Sequence, residues 1–237
     1  MRSHSTILPA DLGLGREATP VRKMPGRTAR TSWRGFSASH KIESEAMRFF
    51  ESTLERDMHT LLSADPEIVR FAVQPHRLTY WCDEPGSWPV KRQYVPDVIA
   101  QTKSRRCLIF EAKSQTFSTK APWSLREPFI RKAYREDHGL EMVVLTESQI
   151  RSQPRLSNCQ ILLQHRPFVA DHETMLVLRR VLETTRLPSS IGAVLEAAAG
   201  QGVDAPQGYS VILQMIMSGE LSFDHSKALS LDCQVSR

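Results

Sequence analysis

Between positions 46 and 62, apolar residues recur at steps of three and four: Ala46, Phe49, Phe50, Leu54, Met58, Leu61 and Leu62. That spacing predicts an amphipathic helix over 42–65, closed by Asp65-Pro66. The period then shortens. "IVRFAVQP" and "HRLTYWCD" predict two strands broken at Pro75 and His76, and "DEPGSWP" predicts a loop. Two further strands are expected at about 94–101 and 106–112, joined by a basic turn. "LREPFIRKAYREDHG" predicts a basic amphipathic helix ending at Gly139, and "LEMVVLTE" one more strand. Helix, strands, helix, strand is the order of an α/β layer arrangement.

The pattern changes on either side of this region. After about residue 150 the segments are mostly helical. Three short helices, a glycine turn and "ELSFDHSKALSLD" have the outline of a winged helix-turn-helix. Residues 1–41 have little periodicity and are rich in Arg, Ser, Thr, Gly and Pro. Their eight Lys and Arg stand against Asp11 and Glu17, a net +6 that exceeds the +5 of the whole 237-residue chain. Such a segment is expected to be a flexible arm suited to a polyanion. The expected organisation is an arm over 1–41, a catalytic domain over 42–168 and a small, mostly helical domain over 169–237.

Composition narrows the classes. At 41% hydrophobic and 24% charged the chain is ordinary globular protein, and its positive balance admits a nucleic-acid partner. Cys82, Cys107, Cys159 and Cys233 are scattered, which argues against a structural zinc site and for reduced thiols. No HExxH or HNH-type grouping occurs among the eight histidines, and no Gly-rich phosphate loop suggests an ATPase. No apolar run approaches the roughly 18 residues needed to span a bilayer. The polar N-terminus has no apolar signal core, so the expected location is cytoplasmic, with no membrane partner.

Candidate chemistry gathers at the strand ends. Asp97 opens one strand, and Glu111 and Lys113 close the next. A hairpin across that gap brings both carboxylates to one end. Glu111 and Lys113, two apart, share a face. Two convergent carboxylates offer hard oxygen ligands for Mg²⁺ or Mn²⁺, and an ammonium beside them can steady a water or a charged phosphate. E-x-K alone is a weak signal. The apolar "CLIF" leading into it, the "VPD" before it and an acidic helix upstream strengthen it. Arg126, Arg131, Lys132 and Arg135 step along the following helix. They are candidate DNA phosphate contacts or a solvated basic face.

Pro96-Asp97 with Glu111-Ala112-Lys113 matches the PD-(D/E)xK nuclease signature. The wider set, "RKMPGRTARTSWRGFSASHK", "RFFESTLERDMHTLLSADPEIVRFAVQPHRLTY", "YVPDVIA" and "IFEAKS", resembles the TnsA-like endonuclease subunit of heteromeric cut-and-paste transposons, over about residues 20–165. The resemblance implies a restriction-endonuclease-like core with a winged-helix-like C-terminal domain. It implies Asp97 and Glu111 as metal ligands, Lys113 as the catalytic lysine and a helix glutamate as third ligand. Glu55 matches that position, with Glu51 one turn away as the alternative and Gln74 as a neighbouring strand-end residue. It further implies cleavage of the 5′ ends of a transposon in a bacterial nucleoid. A DDE transposase (TnsB-like) would cut the other strands, and an AAA+ ATPase (TnsC-like) would regulate both. Two other readings stand beside it: a stand-alone nuclease of this type in restriction or repair, and a catalytically inactive DNA-binding assembly subunit.

Overall fold

The computed structural model describes residues 12–15, 17–22, 35–36, 39–42, 49–83, 88–121, 123–166 and 171–237. They form two compact units, one reaching to Leu62 and resuming over Ile68–Ile150, the other made of Ser63–Glu67 and Arg151–Arg237. Among the described residues no helix is long and apolar enough to cross a membrane.

The first unit is mixed α/β. Its elements in chain order are β1 (Gly35–Phe36), β2 (Phe49–Phe50), α1 (Thr53–Ala64), β3 (Ile68–Val73), β4 (Leu78–Cys82), β5 (Val90–Tyr94), β6 (Val98–Thr102), β7 (Cys107–Lys113), α2 (Gln115–Ser118), α3 (Trp123–His138), β8 (Glu141–Thr146) and α4 (Glu147–Ile150). Four strands build one sheet in the order β3-β6-β7-β8. The first two pairings are antiparallel, and β7 runs parallel to β8. A parallel neighbour needs a crossover connection, and the segment holding α3 supplies it. Strand β6 lies inside the sheet, which explains why Val98, Ile99 and Ala100 are an unbroken apolar run with no exposure.

Helix α3 places Ile130, Ala133 and Tyr134 in a core with Leu78 and Tyr80 of the β4–β5 hairpin and Ile99, Ile109 and Met142 of the sheet. Leu12 and Leu14 join this core. Gly13 between them has φ +84°, and a Cβ there would stand 2.4 Å from the Pro75 carbonyl oxygen, so the approach needs glycine. Residues 12–15 and 17–22 therefore pack on the first unit, although the sequence places them in the flexible arm. Two apolar leucines around a glycine outweigh the polar composition of the segment. The arm residues Arg2, Arg16, Lys23, Arg27, Arg30 and Arg34 lie outside the described residues.

The helix expected from residue 42 begins instead at Thr53. Phe49 and Phe50 pair antiparallel with Phe36 and Gly35, while 43–48, with Ala46, lie outside the described residues. The local cause is Ser52. The Glu55 amide donates to Ser52 Oγ at 3.1 Å, the Ser52 hydroxyl donates to Glu55 Oε1 at 3.1 Å, and the Glu51 amide donates to Glu55 Oε2 at 2.9 Å. This near-capping-box arrangement fixes the helix start, and the apolar period alone does not reveal it.

The second unit holds α5 (Arg155–Gln164), α6 (His172–Thr184), β9 (Ser189–Ser190), α7 (Ile191–Ala199), α8 (Ala205–Ser218), β10 (Ser222–Phe223) and β11 (Gln234–Ser236). The three short strands form an antiparallel sheet in the order β10-β11-β9. Asp171 caps α6 and Ser190 caps α7 through side-chain oxygens, and Gly219 ends α8 in the left-handed conformation. Helix α5, placed with the catalytic domain by its position in the sequence, belongs to this unit. His165, just after it, meets Ser210 Oγ of α8 at 2.9 Å.

Candidate active site

Sheet register builds the site. Val98 pairs with Val73 on one side and Phe110 on the other. One step further, Gln74, Asp97 and Glu111 fall into a single row across three strands. The Gln74 amide donates to the Asp97 carbonyl at 2.8 Å, and the Asp97 amide donates to Glu111 Oε2 at 3.2 Å. Residues directly opposite one another share a face of the sheet, so the two carboxylates that lie 14 residues apart in sequence meet here.

Each carboxylate is held. Asp97 Oδ2 accepts from the Ala112 amide at 2.9 Å. Glu111 accepts from the Tyr94 hydroxyl on one oxygen and from Lys113 Nζ on the other. Lys113 in turn stands 4.3 Å above the Trp123 ring, a cation–π contact that restrains an otherwise flexible ammonium. Both carboxylates are buried, Glu111 with 3% of its surface exposed.

The electrostatics follow from burial. Asp97 is pushed well above the usual carboxylate range, first by desolvation and then by the charges of Glu111 and Glu55, with Lys113 and the Ala112 amide acting the other way. Desolvation also raises Glu55, against the Glu51 amide and Ser52. Burial first, and then Glu111, drives Tyr94 well above its ordinary value, so it remains a phenol donor. Three carboxylates and one ammonium leave an excess of negative charge that a cation would relieve.

The donor set fits a small hard divalent ion. Mg²⁺ commonly takes one or two carboxylates and completes its shell with water and substrate phosphate, and Asp97 with Glu111 supplies that pair. Among the described residues no three Asp, Glu, His or Cys side chains converge closely enough to hold one ion. Glu55 lies within electrostatic reach of Asp97, and its oxygens accept hydrogen bonds at the start of its own helix, as those of Glu111 do in the sheet. Glu51 pairs with Arg22 at 3.5 Å.

No protein-family model matches the chain, and a search of the curated proteins returns no match. The site therefore has to be read from its own geometry.

The remaining expected residues are spread out. Arg126 lines a cavity beside Glu111 and Lys113. Arg131 is held by Glu127 at 2.7 Å and by the Met142 carbonyl. Lys132 lines a different cavity with Trp81 and Trp88, and Arg135 is exposed. At about 100° per residue these four do not share one helix face. Gln74 is 1% exposed with φ +46°, and both atoms of its amide are buried without a hydrogen-bond partner. Tyr94 and Trp123 are site residues that the sequence reading missed. Tyr94 was legible only as the aromatic before "VPD", and Trp123 only as the aromatic opening the helix after E-x-K.

Proposed function

We propose that the protein is a metal-dependent DNA endonuclease of the PD-(D/E)xK type, acting in DNA transposition. The observation that carries the nuclease reading is the buried row of Asp97 and Glu111 with Lys113 clamped between Glu111 and Trp123. A bound Mg²⁺ or Mn²⁺ would polarise a phosphodiester and acidify a water. Asp97 and Glu111 would hold it. The Ala112 amide and the Tyr94 hydroxyl keep those carboxylates in place, and burial excludes bulk water around them. Lys113 places its ammonium where charge builds on the phosphate or where the attacking water sits.

The transposition reading rests on the sequence segments that resemble TnsA-like subunits, spread over about residues 20–165. On that reading the enzyme cuts the 5′ ends of an element in the bacterial cytoplasm, beside a DDE transposase and under an AAA+ ATPase. In the second unit, the order helix, strand, two helices and hairpin supports a winged-helix reading of the C-terminal part.

The test is cleavage of labelled duplex DNA carrying element ends, with Mg²⁺ and with a transposase partner. Asp97→Ala and Lys113→Ala should each lower the rate by about a thousandfold or more, because metal and charge stabilisation supplies several kcal/mol. Circular dichroism should remain unchanged. Normal cutting by both variants would remove the site assignment. Strong cutting by the protein alone would favour the stand-alone nuclease.

A further inference from the structure

Beside Glu111 and Lys113 lies a cavity of about 340 Å³, inside the range of about 300–1,000 Å³ typical of small-ligand sites. Four cationic side chains line it: Arg22, Arg77, Arg126 and Lys113. Among the described residues Glu111 is the one acid in its wall, and that carboxylate is held by Tyr94 and Lys113. Arg22 pairs with the Glu51 carboxylate at 3.5 Å, and polar neutral groups also hold the arginines. Arg22 donates to the Val95 carbonyl at 3.3 Å, Arg77 donates to Gln93 Oε1 at 3.2 Å, and Arg126 bonds the Tyr80 hydroxyl. The cavity is thus strongly positive and suited to phosphate.

It is also larger than a phosphate needs, and part of its wall is aromatic. Tyr94 and Trp123 line it, and Trp123 Nε1 is buried with no hydrogen-bond partner. Cations for a phosphate and aromatic side chains for a base, in a space of this size, together describe one nucleotide. A nucleotide inside a duplex cannot present itself in this way, because its base is stacked and paired on both sides.

We propose that this cavity receives one unpaired nucleotide of the DNA strand beside the cleavage site, with its phosphate on the arginines and its base against the aromatic wall. The inference rests on the nuclease reading and adds a preference for frayed or distorted DNA over perfect duplex. Arg22 and Arg77 have no part in the metal-site argument, and Trp123 enters it only as the ring beneath Lys113.

The experiment measures binding of the full chain to two labelled duplexes of equal length by fluorescence anisotropy, without divalent metal. One duplex is fully paired and the other carries a short unpaired run. Wild type should bind the unpaired form about tenfold more tightly, the scale of one base stacked on an aromatic ring. Arg77→Gln, at an exposed position, and Trp123→Ala should each bring the ratio close to one, while Trp123→Phe should retain most of it. A wild-type ratio near one, or a ratio unchanged in both Arg77→Gln and Trp123→Ala, would overturn the proposal. Failure of the two readings is separable. Cleavage without the binding preference removes the cavity's role alone. A preference without any metal-dependent cleavage supports the cavity and removes the nuclease.

Discussion

Asn158 and Gln74 are both amides, each 1% exposed, one in each compact unit. Asn158 is fully used. Its Nδ2 donates to the Lys227 carbonyl at 2.8 Å, and its Oδ1 accepts from the Leu229 amide at 2.9 Å. It ties α5 to the loop after β10. Gln74 has both amide atoms unbonded and a left-handed backbone. The contrast extends beyond the pair. Among the described residues the buried polar side chains of the second unit are Ser63, Asn158 and Thr174, whereas those of the first include Asp97, Glu111, Lys41, Asp57 and His59. Satisfied buried polar groups specify structure, while strained or under-satisfied ones are retained where function needs them. Gln74 is of the second kind, and Asp97, though hydrogen-bonded, is a buried acid.

The strongest way to break this contrast is Asp97→Asn. The substitution keeps the size of the side chain and an acceptor for the Ala112 amide but removes the charge. Cleavage should fall by about a thousandfold, as for loss of a metal-holding carboxylate. Stability without metal should move the other way. The folded state raises Asp97 above its unfolded value near 3.8, so the native protein binds the extra proton between those two values. Wild-type stability is therefore fully present below the unfolded value and declines as pH rises through the folded one. Melting temperatures across acidic to mildly alkaline pH should show a flatter curve for Asp97→Asn, and Mg²⁺ should raise the wild type alone. An equal pH slope in both proteins would mean that Asp97 is not the strained acid described here.

Asn158→Ala tests the other side. It removes the part-buried hydrogen bonds to the Leu229 amide and the Lys227 carbonyl, each worth about 0.5–1.5 kcal/mol, together with the packing of a buried side chain. Urea unfolding should show a loss of about 3 kcal/mol, with no gain or loss in metal response. A loss near zero would show that Asn158 is as dispensable to folding as Gln74 is expected to be.

The extent to which each region was legible follows the range of its interactions. Asp97, Glu111 and Lys113 were readable because strand period and spacing put them together locally, and β7 continues β6 through a short turn. The apolar strands themselves were readable from "VIA" and "CLIF". Tyr94, Trp123, Arg22 and Arg77 were not, because they converge from four separate segments and no local period links them. The helix start was hidden by a competing signal. The apolar spacing continued through Phe49 and Phe50, but the Ser52–Glu55 cap overrode it. Leu12 and Leu14 were masked by the basic composition around them.

Gln74→Gly sharpens the contrast at its finest point. Truncating a buried side chain to this extent ordinarily costs about 2–5 kcal/mol. Here three effects oppose that loss. Glycine removes the left-handed penalty of about 1–2 kcal/mol. It removes a buried amide whose two polar atoms are unbonded, worth about 1–3 kcal/mol. It also keeps the backbone bonds from Val21 and to Asp97, which the side chain does not make. Against these stand the lost packing and about 0.5–1 kcal/mol of added chain freedom in the unfolded state. Thermal and urea unfolding should therefore place Gln74→Gly within about 1 kcal/mol of wild type, while metal-dependent cleavage falls by about tenfold because the residue opposite Asp97 no longer borders the site. A loss of more than about 2 kcal/mol with normal cleavage would make Gln74 an ordinary packing residue, and the difference from Asn158 would then be one of satisfaction alone.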